Sequence, residues 1–350
     1  MNHLVAAALR CAGIFPVATL LARRSPRILM YHRFGEQPGD IWPGAEIFER
    51  QIRYLRSKFH VLSLAELTES LVSGRPRQNA IVLTIDDGYE DFYKVAYPVL
   101  RKYDVPATLY VATDFIDGRT WLWPDIVAFI LQRTARRSWT SNGRVPKQTY
   151  DLAVPAQRRA AWSGIGTQCV EMDVASRTTL LQALAMELDV DLPPKPTREF
   201  KPLNWAQLRE MAAHGIEIAS HSCSHARLTL CTAQELEHEM LDSKRRIEEM
   251  LDRPVRSFCY PFGKPADVNA IVRQAVVDAG YRNAVVAYSD ADLTDDLFGL
   301  RRFSVGADLD HFRRIASGAS VVSAKLRRLS RVASRRPAEK AAQTREPMGL

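Results

Sequence analysis

Four short segments of this chain hold residue types that do chemistry on water and on amides. In Thr84-Ile85-Asp86-Asp87-Gly88 two carboxylates stand side by side after an apolar run. Like charges this close disfavour joint ionisation, and burial adds to the cost. A divalent metal relieves both by taking one carboxylate as a ligand. Neighbours in a strand point to opposite faces, but Gly88 permits a sharp turn that brings both acids to one pocket. Taken alone, the triplet reads equally well as a solvated turn. His221-Ser-Cys-Ser-His225 puts two imidazoles four positions apart. If the chain turns helically there, both face one side and chelate zinc; the spacing also arises by chance among exposed or core histidines. Two neutral histidines with one carboxylate form the ligand set of a hydrolytic zinc site, open at the fourth position to a water of pKa about 7. The second aspartate is then left as the base. Tyr260-Pro-Phe-Gly263 and Tyr31-His32 complete the set.

The elements that must position these segments follow from periodicity. Strand-like runs cover Ile28–His32, Ala80–Asp86, Ala107–Ala112, Glu217–Ser220, Ser257–Tyr260, Asn283–Ala287 and Phe303–Val305. The run at 80–86 is apolar on both faces, as in a buried parallel strand. Helical spacing covers Phe48–Phe59, Leu64–Leu71, Tyr89–Tyr103, Trp205–His214, Thr232–Leu251, Ala266–Ala279 and Asp308–Ser317. Asn204 is a good N-cap for one of these helices, and Gly215 closes it. This alternation predicts an α/β fold whose parallel sheet is closed, or nearly so, into a barrel. The strand C-termini then share one face, where the four segments meet. From about 117 to 203 the rhythm stops. That stretch is expected as an insertion of helices and loops, helical around Asp125–Arg136 and Val174–Leu188.

Strand–Thr-Ile-Asp-Asp-Gly, His-Ser-Cys-Ser-His and Phe-Cys-Tyr-Pro-Phe-Gly resemble, in order, the first three motifs of the polysaccharide deacetylases, the NodB-like carbohydrate esterase family 4. The resemblance spans about 28–318 apart from the insertion. It implies a distorted (β/α) barrel of the NodB type. It also implies Asp86 as catalytic base, with Asp87, His221 and His225 as ligands of a divalent metal, zinc by default. Phe262 matches the position whose backbone N–H helps to hold the oxyanion. Two departures stand out. The third motif normally begins with an arginine that pairs with the base, and here that place is Cys259. Arg302 resembles the arginine of a branch that begins with strand–Tyr-His and whose barrel order looks permuted; the bland reading is a surface charge. The usual C-terminal Leu-x-His motif is missing, and in that branch the early histidine supplies the general acid, here His32. The alternative for His32 is a buried histidine bonded to backbone. His60, His214, His238 and His311 read as structural, and Cys223 as a small filler.

The implied activity is removal of N-acetyl groups from amino sugars of a polysaccharide or glycolipid. An O-acetyl esterase keeps the same site on another bond, and a non-catalytic saccharide-binding barrel is the rival of a different class. Tyr31, Tyr89, Trp121, Trp123 and Tyr260 offer aromatic faces for a sugar groove, although core packing explains Tyr260 and Trp205 as well. Composition agrees with a globular enzyme: 46% hydrophobic, 25% charged, and five cysteines without C-x-x-C spacing, which argues against a disulfide scaffold. No glycine-rich phosphate loop follows any strand, so nucleotide binding has no support. The net charge of +8 resides at the ends: residues 1–27 carry +4 and 319–350 carry +6, leaving −2 for the body. A nucleic-acid partner would want a basic body. The expected domains are an apolar, basic N-terminal helix (1–27), the barrel (28–318) and a basic, disordered tail (319–350). Peripheral membrane contact is one reading of the ends, with a true membrane anchor as the alternative for the N-terminal helix and a plain solvated terminus for the basic tail. With no clear cleavable signal, a cytoplasmic or inner-membrane-peripheral location is favoured.

Overall fold

A computed structural model describes residues 15–35, 42–141, 147–289 and 296–324. In chain order the strands are β1 (Arg27–Tyr31), β2 (His60–Val61), β3 (Ala80–Ile85), β4 (Ala107–Val111), β5 (Ser138–Thr140), β6 (Thr149–Asp151), β7 (Ile216–Ser220), β8 (Ser257–Cys259), β9 (Asn283–Val286) and β10 (Leu300–Ser304). Seven of them form a closed, all-parallel barrel in the order β1-β10-β9-β8-β7-β4-β3, with β2 added at the start of β3. Closure is made by β1, whose Leu29 lies opposite Leu83 of β3 on one side and Phe303 of β10 on the other.

Side-chain alternation sorts the strands into two cores. Ile28, Val82, Tyr110, Ala219, Cys259, Val285 and Leu300 pack together within the barrel. The alternate residues Leu29, Leu83, Leu109, Ile218, Phe258, Ala284 and Phe303 pack outward under the helices. The helices used below are α1 (Phe15–Leu21), α2 (Leu64–Val72), α3 (Trp123–Arg133), α4 (Pro155–Val170), α5 (Val174–Glu187), α6 (Trp205–Ala213), α7 (Ser243–Leu251), α8 (Ala270–Asp278) and α9 (Leu309–Ala316). Helix α2 plugs the lower end: Leu64 and Leu67 join the inner cluster, and Asn283 Nδ2 donates to Thr68 Oγ1 at 3.2 Å. The open end is the one to which every barrel strand points.

Several expectations need correction. The last strand begins at Leu300, three residues earlier than expected, and this carries Arg302 into the barrel wall. The helix expected over Ala266–Ala279 starts at Ala270, because Asn269 caps it by accepting from Val272 N–H. The insertion holds more than helices and loops. It contains an antiparallel hairpin of β5 and β6, and a helix, α4, that gave no clear signal. The buried residues of α4 are Ala161, Ile165, Gly166 and Cys169, too narrow and too small a stripe to show as a helical period. With Trp123, Val127, Ile130, Tyr150, Leu181 and Leu184 they form a core of the insertion's own. Of the N-terminal helix expected over 1–27, Phe15–Leu21 is helical and 1–14 lies outside the described residues. Of the tail, 319–324 is helical, and 325–350 lies outside them.

Candidate metal and catalytic site

The two aspartates follow β3 into the open end. Asp86 continues the inward series Val82–Thr84 and is almost wholly buried. Asp87 would point outward were the strand to continue, but its φ of +78° turns the chain back over the mouth, and Gly88 follows at +94°. The hinge therefore lies one residue earlier than expected. Gly88 is still required, since a Cβ there would stand 2.9 Å from Ile116 Cδ1.

Arg302 enters the barrel from β10 and meets Asp86 with both arms: Nη1 donates to Oδ1 at 2.6 Å and Nη2 to Oδ2 at 2.7 Å. It also donates to Thr84 Oγ1, to the Val286 carbonyl and to Cys259 Sγ, and it lies over the Tyr110 ring. Burial alone would raise the Asp86 carboxyl; the Arg302 guanidinium outweighs burial and holds it below the ordinary carboxylate range. Cys259 thus lines the pocket that Arg302 fills. His32, first residue after β1, is 42% exposed and sets Nε2 3.8 Å from Asp86 Oδ2.

The histidines come together by a different route from the one expected. Residues 221–227 form an irregular loop and not a helical turn, with left-handed φ at Ser222 (+67°) and His225 (+56°). The loop is pinned by Ser222 Oγ, which accepts from His225 N–H, and by buried Glu239, whose carboxylate accepts from the N–H groups of Cys223 and Ser224. Sequence reasoning missed Glu239 because it sits mid-helix, where nothing marks it as facing a loop. His221 donates from Nδ1 to the Cys259 carbonyl (2.8 Å), which fixes its tautomer and leaves the Nε2 lone pair free.

Nε2 of His221 and of His225 lie 3.5 and 3.6 Å from the same oxygen, Asp87 Oδ1. Ligand atoms at tetrahedral angles and about 2.0–2.2 Å from one ion are separated by about 3.3–3.6 Å. Two of the three separations therefore match edges of a coordination tetrahedron, and all three atoms lie within 4.8 Å of one another. Burial raises Asp87, but His221, His32 and His225 more than reverse this, leaving it far below the ordinary value. Burial lowers His221 and the neighbouring Cys259 and Asp87 reverse it, whereas burial and His221 push His225 down to about 3. The three ligand atoms thus converge where a divalent cation would displace protons on binding. The residues fit such an ion. A second trio, Asp86, His221 and Cys259, is equally compact, but the Arg302 guanidinium occupies both Asp86 oxygens and touches Sγ, so a cation there would meet a fixed positive charge.

Phe262 has φ +61° and packs its ring against His225 at 5.1 Å. Among the described residues its backbone N–H meets no acceptor. The expected aromatic groove is not there: Tyr31, Tyr89, Trp121, Trp123 and Tyr260 are all buried in cores. Tyr31 points out of the barrel to Gln51, and Tyr89 donates to Asp125 Oδ2 at 2.8 Å. Asp125 is a second unforeseen group. Burial pushes its carboxyl up to about 7, with the charges of Arg33, Asp87 and Asp91 also acting on it.

Residues 73–149 and 173–284 match a family model described as polysaccharide deacetylase. YxkH of Bacillus subtilis (strain 168), described as a polysaccharide deacetylase, is 24% identical over 281 residues, covering 79% of this chain and 70% of that protein. A 72-residue stretch is 36% identical to the poly-β-1,6-N-acetyl-D-glucosamine N-deacetylase of Staphylococcus aureus (strain N315), covering 20% of this chain and 24% of that one. Among solved structures, the Streptococcus pyogenes deacetylase PplD in complex with acetate superposes with a TM-score of 0.55 at 19% identity, covering 83% of this chain and 96% of that chain. That likeness is one of fold.

Proposed function

The chain belongs to the polysaccharide deacetylase family, and from that premise we propose a metal-dependent hydrolase that removes N-acetyl groups from the amino sugars of a glycan. One observation carries the reading. Asp87 Oδ1 faces Nε2 of both histidines at ligand spacing, with Asp86 buried beside them and His32 exposed 3.8 Å from it. Asp87, His221 and His225 would hold the ion, and a two-nitrogen, one-oxygen set suits zinc. When bound, such an ion polarises the acetamide carbonyl and activates water.

The chain's own groups divide the remaining work. Asp86, kept ionised by Arg302, takes the proton of the attacking water. As that oxygen joins the acyl carbon, the Phe262 N–H donates to the carbonyl oxygen that gains charge. His32 Nε2 protonates the sugar nitrogen as the C–N bond breaks, giving acetate and a free amine. Exposure of His32 at the mouth puts it where substrate arrives. The glycan relatives make poly-β-1,6-N-acetylglucosamine the first substrate to test.

The experiment is acetate release from N-acetylated and O-acetylated oligosaccharides by chelated and zinc-reloaded protein. Release from the N-acetylated oligomers, lost on chelation and restored by zinc, is expected. Release from the O-acetylated set alone points to the esterase. Glycan binding without stoichiometric metal or turnover points to the saccharide-binding rival. Asp86→Asn should keep zinc and lose turnover by about two to four orders of magnitude; unchanged turnover removes Asp86 from the reaction.

A further inference from the structure

Helix α1 turns its apolar side outward. Val17, Leu20 and Leu21, spaced i, i+3 and i+4, are 56%, 59% and 64% exposed, while Ala18 and Ala22 face the fold. The inward side is closely packed: a Cβ on Gly318 would come 2.4 Å from Ala22 Cβ. Buried Arg27 fastens the same corner by donating to the carbonyls of Ala316, Ala22 and Ser25. The segment 18–27 and the C-terminal helix are therefore tied together at one place. Arg23 and Arg24 follow the stripe directly; in sequence alone, 1–14 hold Arg10 and 325–350 hold eight Lys/Arg against two Glu. Among the described residues, Arg23 and Arg24 thus stand at the end of an exposed leucine and valine stripe.

We propose that this corner docks on an anionic lipid bilayer. An apolar helix face entering the headgroup boundary, with lysine and arginine drawn to acidic lipid around it, is the pairing that holds peripheral proteins. A nucleic acid would use the charge but leave the stripe unexplained. A second copy would cover the stripe only by bringing Arg23 and Arg24 of both copies together. Among the described residues no helix is long and apolar enough to cross a membrane.

The fold then orients the enzyme. Helix α1 leads into the first residue of β1, and α9 runs back from the end of β10, so the docking corner lies at the strand N-termini. The aspartates, His32 and the histidine loop lie at the opposite ends. Strands of five or six residues separate the two by about 17–20 Å. The mouth opens away from the bilayer, toward glycan extended from the surface and not toward lipid headgroups.

The test is flotation of the full-length protein with phosphatidylcholine vesicles, plain or containing about 30% phosphatidylglycerol, at roughly 0.05 and 0.5 M salt. Binding to the anionic vesicles at low salt, falling steeply at high salt, is expected. Leu20→Glu with Leu21→Glu should weaken it at least about tenfold, and Arg23→Glu with Arg24→Glu by a comparable factor, since each basic residue near the surface is worth roughly fivefold. Both variants should keep the catalytic activity on soluble oligomers, which shows that they fold. No flotation, flotation indifferent to both variants, or association that survives alkaline carbonate overturns the proposal. So does a salt-resistant dimer that the leucine variant dissociates.

Discussion

Replacing Arg302 by methionine should disable this site without touching a metal ligand. The side chain is fully buried, and it supplies both hydrogen bonds to Asp86, at 2.6 and 2.7 Å. Breaking one partner of a buried pair costs about 3–5 kcal/mol, because the other charge is left without compensation. Asp86 is only 2% exposed, so burial then decides its ionisation and drives the carboxyl upward. The pH dependence consequently changes sign. In the native protein Asp86 is held low, so its pairing adds stability above the unfolded value of about 4 and loses it as pH falls through the lower folded value. In the variant the raised carboxyl adds stability in acid and loses it as pH rises. Urea titrations should show a deficit of about 3–5 kcal/mol near pH 7.5 that shrinks near pH 4.5. Turnover should fall by about 10²–10⁴ with zinc still bound, the loss of a general base.

A second substitution sharpens the test. Cys259 Sγ lies 3.1 Å from Arg302 Nη2 and 3.6 Å from Asp86 Oδ2, so an arginine at 259 enters the same space from β8. Cys259→Arg alone overfills the barrel and should cost about 1–3 kcal/mol. Combined with Arg302→Ala, it should recover at least about tenfold of the turnover lost in Arg302→Ala, a coupling opposite in sign to the single effects. A double variant as poor as the product of its singles, or Arg302→Met with near-native turnover, refutes the assignment of Arg302 to the base.

Asp87→Asn and His225→Ala should each abolish stoichiometric zinc, read by metal analysis of the purified protein, while leaving the circular dichroism of the barrel intact. Gly263→Ala should suppress turnover without contacting substrate: its φ is +59° and its Cβ would stand 2.7 Å from Ala287 N, so the Phe262 N–H must move. Asp125→Asn should flatten the pH-stability profile around neutrality. The native carboxyl, raised to about 7 by burial, adds stability below its unfolded value and loses it as pH rises through 7, roughly 4 kcal/mol in total, and an amide still accepts from Tyr89.

What could be read in advance was whatever one segment encodes by itself. The run Ala80–Ile85 is apolar at every position but Thr84, and it is the strand buried on both faces. Asn204 caps α6 through the Gln207 N–H, as its residue type and position implied. The candidate triad of Asp87, His221 and His225 could be named because the family resemblance assigns those positions, and closure of the ring brings the three side chains together. The aromatic groove failed for the opposite reason. Proximity in sequence to a motif says nothing of which strand face a ring occupies, and Tyr31 and Tyr260 fall on outward positions that the helices bury. Glu239 and Asp125 were invisible because their importance comes from partners far away in the chain: the 223–224 amides for one, Tyr89 and the charge of Asp87 for the other.

The exchange of Cys259 for Arg302 shows which quantity the barrel holds constant. The residues that match the family model run through β3, β4, β7 and β8 and reach into β9, an open arc of the ring. The ring is closed by β10 and β1, which pair with each other in the register Ile28 opposite Arg302. Those two closing strands bring the guanidinium to Asp86 and the imidazole to the rim. In an open sheet a guanidinium two strands away from its usual place would be roughly 10 Å off, at about 4.8 Å per strand. In a seven-strand ring inward side chains from β8 and β10 converge on the same lumen, and Arg302 Nη2 accordingly lies 3.1 Å from Cys259 Sγ. The chemistry constrains where the positive charge stands relative to Asp86. Closure of the sheet is what frees that charge from any particular strand, and a search that demands arginine at position 259 would pass over the Arg302–Asp86 pair.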